Sequence, residues 1–169
     1  MVLEQNAVPG LTNRLLARFV GRAAVTYEAS LKYFDTKGFV SGNPVRREFL
    51  EVDDDPGHDA AINASPVRVL VFGGSQGAHA INVAMVEAAP RLAADAPRVA
   101  ITHQTGGRDL EMVRNGYKRA GLEARVEPFL YAMDREMKSA DVVVSRAGAT
   151  TLAELTAAGR AAILIPLPT

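Results

Sequence analysis

The 169-residue sequence contains no cysteine, and its 19 basic and 19 acidic side chains cancel to a formal net charge of zero. Without cysteine the chain forms neither a disulfide framework nor a thiolate site. The balanced charge argues against a nucleic-acid-binding protein that depends on bulk positive charge. The aromatic residues are few and scattered, so no stacking platform for bases is predicted. We therefore expect no nucleic-acid partner.

Several familiar patterns are also missing. No apolar run reaches about 18 residues and no signal-peptide pattern is present, so we expect no membrane span and a cytosolic or unassigned compartment. No repeat of fixed period and no low-complexity segment occurs. The sequence lacks a Walker loop, a G-x-S-x-G nucleophile elbow and the dinucleotide fingerprint G-x-G-x-x-G. The last absence argues against a nicotinamide oxidoreductase.

What the sequence does contain is an alternation of strand and helix patterns from Val67 onward, in a chain that is 48% hydrophobic. The clearest unit has an apolar run, a turn, a helix closed by a glycine and a second apolar run: Val142–Val144, Gly148, Thr150–Ala158, Gly159 and Ala161–Ile165. Two apolar strands that flank one helix are typical of a parallel βαβ unit buried on both faces. The whole pattern predicts an α/β domain with a doubly wound parallel sheet of about five strands.

The first 50 residues predict smaller elements. Val2 and Leu3 have the pattern of a strand end, and Ala23–Thr26 that of a short strand. Between them, Thr12 or Asn13 would cap a helix whose apolar residues share one face, namely Leu15, Leu16, Phe19 and Val20. Three arginines on this helix could meet an anionic surface, although a solvated helix face is the simpler explanation: Arg14, Arg18 and Arg22.

The stretch Glu51–Ser65 is charged and has no periodicity, so we place a domain boundary there. Its consecutive aspartates, Asp53–Asp55, raise the question of a metal site. Successive residues do not converge on one ion without a specific loop, so we predict no metal there.

A glycine-rich turn, Gly73–Gly77, follows the first strand of the regular domain and precedes a helix. Glycines permit positive φ angles and a close approach of the backbone to a phosphate, and a helix N-terminus favours an anion. The alternative is a tight turn in which Ser75 only caps the helix. These residues alone leave both explanations open.

The segment Ser145–Glu154 lies at a strand end beside a helix start, where ligands bind in such units. Glu154 has two explanations here. In a capping box it would bond back to the Thr151 amide, which is the simpler explanation from the residues alone. In a nucleotide site its carboxylate would accept two hydrogen bonds from a ribose diol.

Three further polar residues are weaker candidates. His103 and Gln104 end a strand and could face the same crevice, although a lone histidine is more often a satisfied polar group. Asp109 is predicted to lie too far along its helix to orient His103. Arg46 could reach a phosphate from its connector, or it could simply be exposed.

Six segments occur in the order of one family: E-Q-N-A-V-P-G-L-T-N at 4–13, S-G-N-P-V-R at 41–46, G-G-S-Q-G-A at 73–78, H-Q-T-G at 103–106, P-F at 128–129 and S-R-A-G-A-T-T-L-A-E at 145–154. They span nearly the whole chain. The sequence resembles the MurG family, the UDP-N-acetylglucosamine:N-acetylmuramyl-(pentapeptide) pyrophosphoryl-undecaprenol N-acetylglucosamine transferases of peptidoglycan synthesis.

The resemblance implies the two-domain GT-B fold, with a Rossmann-like donor domain. Residues 1–45 would be the tail of the acceptor domain, 46–65 the connector and 66–169 an incomplete donor-binding domain. The family transfers N-acetylglucosamine from UDP to the C4 hydroxyl of lipid I, with inversion, and so makes lipid II for the cell wall and for cell division. The intact protein would lie peripherally on the cytoplasmic face of the bacterial inner membrane.

The resemblance also assigns donor contacts. Arg46, Ser75 and Gln76 would lie at the diphosphate region, the backbone of Leu130 would meet the uracil, and Asn6 would reach toward the sugar. The residues expected around the uridine, with Glu154 on the ribose, are Ala149, Thr150, Thr151, Leu152, Ala153 and Glu154. The motifs imply no cofactor and require no metal, because backbone N–H groups and the helix dipole can take that charge role.

Two departures from the family pattern matter. Leu3 stands where the family usually has a histidine before Glu-Gln-Asn. The chain is also about half the expected length, and it lacks the amino-terminal glycine-rich loops, the acceptor site and the histidine usually considered catalytic. We therefore expect a fragment truncated at both ends and inactive alone, with the catalytic base in the missing segment. The alternatives are a non-catalytic UDP-sugar-binding module or another GT-B glycolipid transferase.

Overall fold

The computed structural model describes residues 1–50, 66–94 and 98–167. The chain divides into two compact units, Met1–Arg46 and Arg47–Thr169. The charged stretch Glu51–Ser65, with its aspartates, lies outside the described residues.

The first unit is a small parallel sheet in the order β1-β2-β3. Its elements are β1 (Val2–Glu4), α1 (Leu11–Leu16), β2 (Ala23–Val25), two short 3₁₀ helices (Glu28–Tyr33 and Asp35–Lys37) and β3 (Gly38–Val40). The central strand β2 is fully buried and packs against Phe34. The predicted strands at Val2–Leu3 and Ala23–Thr26 are confirmed to within one residue.

The prediction for the first helix was wrong in its start and in its extent, because α1 spans Leu11–Leu16 and ends before Phe19 and Val20. Helix α1 begins at Leu11 with Gly10 at the cap position, and none of its described residues is buried. Asn13 lies inside the helix, where its amide donates to the Leu3 carbonyl at 3.0 Å and to Glu4 Oε2 at 2.9 Å. Its side chain therefore ties the helix to β1 and is not available as a cap.

The second unit contains a five-stranded parallel sheet in the order β6-β5-β4-β7-β8. After a 3₁₀ turn (Arg47–Phe49), its elements are β4 (Val67–Phe72), α2 (His79–Ala94), β5 (Val99–Gln104), α3 (Leu110–Ala120), β6 (Ala124–Glu127), α4 (Met133–Ser139), β7 (Val142–Arg146), α5 (Ala149–Ala158) and β8 (Ala161–Ile165). The predicted doubly wound α/β sheet is confirmed.

The core lies on both sides of the central strand β4. Val71 packs with Ile81 of α2 and Val113 of α3, so these helices cover one face. The preceding residue, Leu70, is also buried, and it must face the other side of the sheet because side chains alternate along a strand. That second face is covered by α4 and α5, which contact each other.

The prediction that Ala161–Ile165 is buried on both faces was wrong for the described chain. Strand β8 is an edge strand that pairs with β7 alone. Residues 161–164 are exposed, with Ile163 at 56%. An apolar run in the sequence does not show whether its strand pairs with one strand or with two.

Candidate functional site

The strand order places a switch point between β4 and β7. The chain leaves β4 toward β5 and β6, then crosses back to β7, which lies on the other side of β4. The two strands are in register, with Phe72 opposite Ser145. The connections that follow them therefore start side by side and diverge, which opens a crevice at the carboxyl ends of the strands.

The glycine-rich turn forms one side of this crevice. Ser75 and Gln76 are exposed at its tip, and the Gly77 N–H donates to the Gly74 carbonyl at 3.0 Å. Gly74 has a φ of 95°, which few other residues adopt. Helix α2 begins only at His79, so the alternative in which Ser75 caps the helix was wrong.

This turn is held by a second turn that follows β5. A Cβ atom on Gly77 would overlap the carbonyl of Thr105, and one on Gly106 would overlap the carbonyl of Gln76. Both glycines also have φ angles of 76°. The absence of side chains thus lets the two backbones touch, and the position of the Ser75–Gln76 tip is set by that contact.

Helix α5 forms the other side of the crevice. It begins at Ala149 with Gly148 at the cap position, so Thr151 is its third residue and Glu154 its sixth. A capping box needs its carboxylate at the third position, so the capping explanation for Glu154 was wrong. Glu154 is 8% exposed, and Thr150 and Thr151 lie one turn before it on the same side.

The side chain of Gln104 links Leu130 to the glycine-rich turn. Its backbone N–H donates to Gln104 Oε1 at 2.7 Å, and Gln104 Nε2 donates to the Gly74 carbonyl at 2.9 Å. Leu130 is 3% exposed and Gln104 is 2% exposed. Gln104 therefore does not line an open crevice, as the sequence suggested, but joins two of its walls from beneath.

His103 points into the core, away from the crevice. Its Nδ1 lies 2.8 Å from the Tyr117 hydroxyl and its Nε2 lies 3.0 Å from Asn82 Oδ1. The Asn82 amide group in turn donates to the Thr105 carbonyl at 2.9 Å and to Asp109 Oδ2 at 2.8 Å. The explanation of His103 as a satisfied polar group is confirmed.

The network fixes the protonation of its members. Because the Asn82 oxygen can only accept, His103 carries its proton on Nε2 and accepts from Tyr117 at Nδ1. Burial lowers the pKa of His103 to about 4 and raises that of Tyr117, so both are neutral. The hydrogen bond from Asn82, helped by His79 at 2.9 Å, holds the pKa of Asp109 below its usual value despite burial.

Asp109 was misjudged from the sequence. It precedes α3, which starts at Leu110, and it reaches His103 through Asn82. No sequence pattern indicated a role for Asn82, since a single polar residue in a helix pattern is usually exposed. The buried Asn82 is what connects the turn at Thr105 to the core.

Asn6 and Arg46 belong to the first unit, and the Arg46 side chain is exposed. Asn6 is exposed, but its backbone and side-chain nitrogens both donate to Glu4 Oε1, at 2.8 and 3.2 Å. Glu4 Oε2 also accepts from Gly10 N and Asn13 Nδ2. Burial would raise the pKa of Glu4, but these four hydrogen bonds lower it overall, so the carboxylate is ionised and holds Asn6 in place.

Among residues 1–50, 66–94 and 98–167, no group of three or more histidine and acidic side chains is arranged to hold a metal ion.

Comparison with known proteins identifies the architecture. Residues 68–169 match the model of the glycosyltransferase family 28 C-terminal domain. The chain belongs to glycosyltransferase family 28. The fold prediction, an α/β protein of GT-B type with a Rossmann-like doubly wound sheet, is thereby confirmed.

Two curated relatives of this family 28 chain carry the name UDP-N-acetylglucosamine--N-acetylmuramyl-(pentapeptide) pyrophosphoryl-undecaprenol N-acetylglucosamine transferase. The protein of Pelobacter propionicus is 46% identical over 98% of this chain and 48% of its own length. That of Geotalea uraniireducens is 47% identical over 98% of this chain and 45% of its own. The crystal structure of Acinetobacter baumannii MurG superposes with a TM-score of 0.73, at 31% identity, over 99% of this chain and 46% of that one. The chain spans about half the length of the curated relatives it matches.

Proposed function

We propose that the chain takes part in the transfer of N-acetylglucosamine from UDP-N-acetylglucosamine to lipid I, which yields lipid II in peptidoglycan synthesis. Residues 66–169 would bind the donor, residues 1–45 would belong to the acceptor domain, and 46–65 would connect them. The observation that carries the proposal is the crevice at the switch point, with the exposed Ser75–Gln76 tip on one side and the start of α5 on the other. The names of the relatives supply the donor and the acceptor.

The geometry suits a uridine diphosphate. The first N–H groups of an α-helix have no partner within the helix and carry a partial positive charge, so the start of α5 favours the diphosphate. The Ser75 and Gln76 tip would meet the same group from the other side. Thr150, Thr151 and Glu154 share one face, where Glu154 would accept the ribose hydroxyls.

The remaining contacts complete the proposed donor site. The backbone around Leu130 would meet the uracil, while Leu152 and Ala153 would lie beside the nucleoside. From the first unit, Arg46 would add positive charge for the diphosphate and Asn6 would bond to the sugar.

In the proposed reaction, the C4 hydroxyl oxygen of the acceptor attacks the anomeric carbon as the bond from that carbon to the diphosphate oxygen breaks. UDP leaves with the electron pair, and a base takes the hydroxyl proton. Attack from the face opposite the leaving group inverts the anomeric centre. Donors aimed at the departing diphosphate stabilise the charge that develops on it, which is where electrostatic catalysis is most effective.

Donor binding and transfer can be tested separately. Isothermal titration of the purified chain with UDP-N-acetylglucosamine, UDP, ADP and GDP should show binding of the uridine nucleotides only. Incubation with radiolabelled donor and a lipid I analogue should give no transfer, since the chain matches about half of its relatives. A folded chain that binds no UDP would contradict the proposal, and transfer by this chain alone would contradict the expected inactivity.

We further propose that the first unit meets the cytoplasmic face of the bacterial membrane peripherally. Its exposed side chains combine apolar and cationic groups: Leu11, Leu15, Leu16, Phe19, Arg14, Arg18 and Arg22. Phe19 is 84% exposed, and an apolar residue flanked by cations favours an anionic lipid surface. None of the described helices is long and apolar enough to cross a membrane.

Vesicle sedimentation tests this surface. The chain should pellet with vesicles that contain phosphatidylglycerol and remain in solution with pure phosphatidylcholine. Phe19→Ser should reduce the bound fraction severalfold. Tyr131→Ser is the matched control, because Tyr131 is 93% exposed and lies in the second unit. Equal effects of the two changes would refute the assignment.

A further inference from the structure

Gln104 is a buried polar side chain at the end of a central strand. It is the last residue of β5, lies opposite Phe72 of β4 and Glu127 of β6, and is 2% exposed. Both of its polar atoms are used, and both go to backbone groups. Nε2 donates to the Gly74 carbonyl at 2.9 Å and Oε1 accepts from the Leu130 N–H at 2.7 Å.

The two partners of Gln104 lie in different turns. Gly74 belongs to the turn after β4, and Leu130 belongs to the turn after β6. One described side chain, that of Gln104, thus bonds to both turns. An apolar residue at this position would leave the N–H of the buried Leu130 without its partner and would remove one of the two hydrogen bonds to the Gly74 carbonyl, so the amide fixes a separation that packing alone would not.

We propose that Gln104 is a positioning residue for the donor nucleotide. It sets the distance between the turn that carries Ser75 and Gln76 and the backbone at Leu130. The inference rests on the proposed function, in which the first turn meets the diphosphate and the second meets the uracil. A nucleotide that spans both turns benefits from a spacing that is fixed before binding, because no ordering of the turns opposes its association.

This role predicts an effect that depends on the ligand. UDP touches both turns, whereas uridine reaches only the base side and inorganic pyrophosphate only the phosphate side. Loss of the Gln104 bridge should therefore weaken UDP much more than either part. A general loss of stability or of local order would weaken all three ligands alike.

The test is an NMR titration of the full 169-residue chain with UDP, uridine and pyrophosphate, which measures weak and tight binding on one scale. Gln104→Met keeps the size of the side chain and removes both hydrogen bonds. We expect its affinity for UDP to fall about tenfold and its affinities for uridine and pyrophosphate to fall less than about twofold. Tyr117→Phe is the matched control, because it removes one buried hydrogen bond, to His103, and leaves both turns bridged. It should bind all three ligands as the unmodified chain does.

A second variant covers the case in which Gln104→Met does not fold. Gln104→Asn keeps the amide but is one methylene shorter, so it reaches at most one of the two turns, and it should show the same ligand pattern with a smaller loss. The inference is overturned if UDP, uridine and pyrophosphate weaken equally in either folded variant, or if UDP weakens no more than in Tyr117→Phe. Failure of the folded, unmodified chain to bind UDP would instead refute the proposed function itself.

Discussion

The backbone of Gly77 lies directly against the carbonyl group of Thr105, so that no side chain fits between them. Thr105 is fixed in turn by Asn82, which donates to the same carbonyl, and by its own N–H, which donates to the Glu127 carbonyl at 3.0 Å. The turns after β4 and β5 and the end of β6 are therefore joined, and buried groups set the position of the exposed tip at Ser75.

Replacement of Gly77 by alanine should destabilise the chain by at least about 2 kcal/mol, because the new Cβ overlaps Thr105 and the φ of 76° is unfavourable. Urea denaturation measures the loss. Gly121→Ala is the matched control, since Gly121 has a φ of 71° but open space around it, and only about 1 kcal/mol is expected. Equal losses would mean that the contact with Thr105 is unimportant.

Acid should destabilise the chain through His103. An unfolded histidine binds a proton near pH 6.5, whereas burial lowers the pKa of folded His103 to about 4, so the unfolded state holds more protons between these values. The contribution of His103 to the free energy of unfolding is therefore fully present above about pH 6.5, and it falls by about 3 kcal/mol as the pH drops to 4. Urea denaturation across this range should show a shallower pH dependence in His103→Gln. His79 is present in both proteins, so a difference between their pH dependences is due to His103.

Glu154→Ala should weaken UDP binding about tenfold if the carboxylate accepts the ribose hydroxyls, since hydrogen bonds to a charged group are the stronger kind. Calorimetry with UDP and 2′-deoxy-UDP separates this role from a structural one. Glu154→Ala should cost less with the deoxynucleotide, which lacks one hydroxyl. Glu111→Ala is the control, because the Glu111 side chain is 75% exposed on α3. An identical loss for both nucleotides would argue against ribose contact.

Glu4→Gln should destabilise the first unit by about 2 kcal/mol, because an amide has one acceptor oxygen where the carboxylate serves four donors. The pKa of Glu4 is lowered in the folded state, so its contribution is present above the unfolded pKa and is lost as the pH falls through the folded value. Thermal melting at neutral pH measures the change, with the exposed Glu28→Gln as the control. Equal melting temperatures for Glu4→Gln and Glu28→Gln would contradict the conclusion that the Glu4 carboxylate holds Asn6 in place.

Much of the second unit follows from local pattern. The apolar runs at Val67 and Val142 and the glycine at 159 predict β4, β7 and the end of α5, because period and turn chemistry are properties of adjacent residues. The boundary of α5 was harder. Helix α5 begins at Ala149, one residue before the predicted start, whereas a capping box with Thr151 as the cap needs a helix that begins at Leu152, so Glu154 lies in the second turn.

The sequence by itself determined the alternation of strands and helices, the glycine-rich turn and the family motifs, since each is written in consecutive residues. Only the tertiary structure decided what the buried polar residues do. Asn82, His103 and Asp109 form one network, and Gln104 bridges Gly74 to Leu130 across 26 and 30 residues of sequence. Such contacts depend on which strands become neighbours, and the order of strands in a sheet is a property of the whole chain.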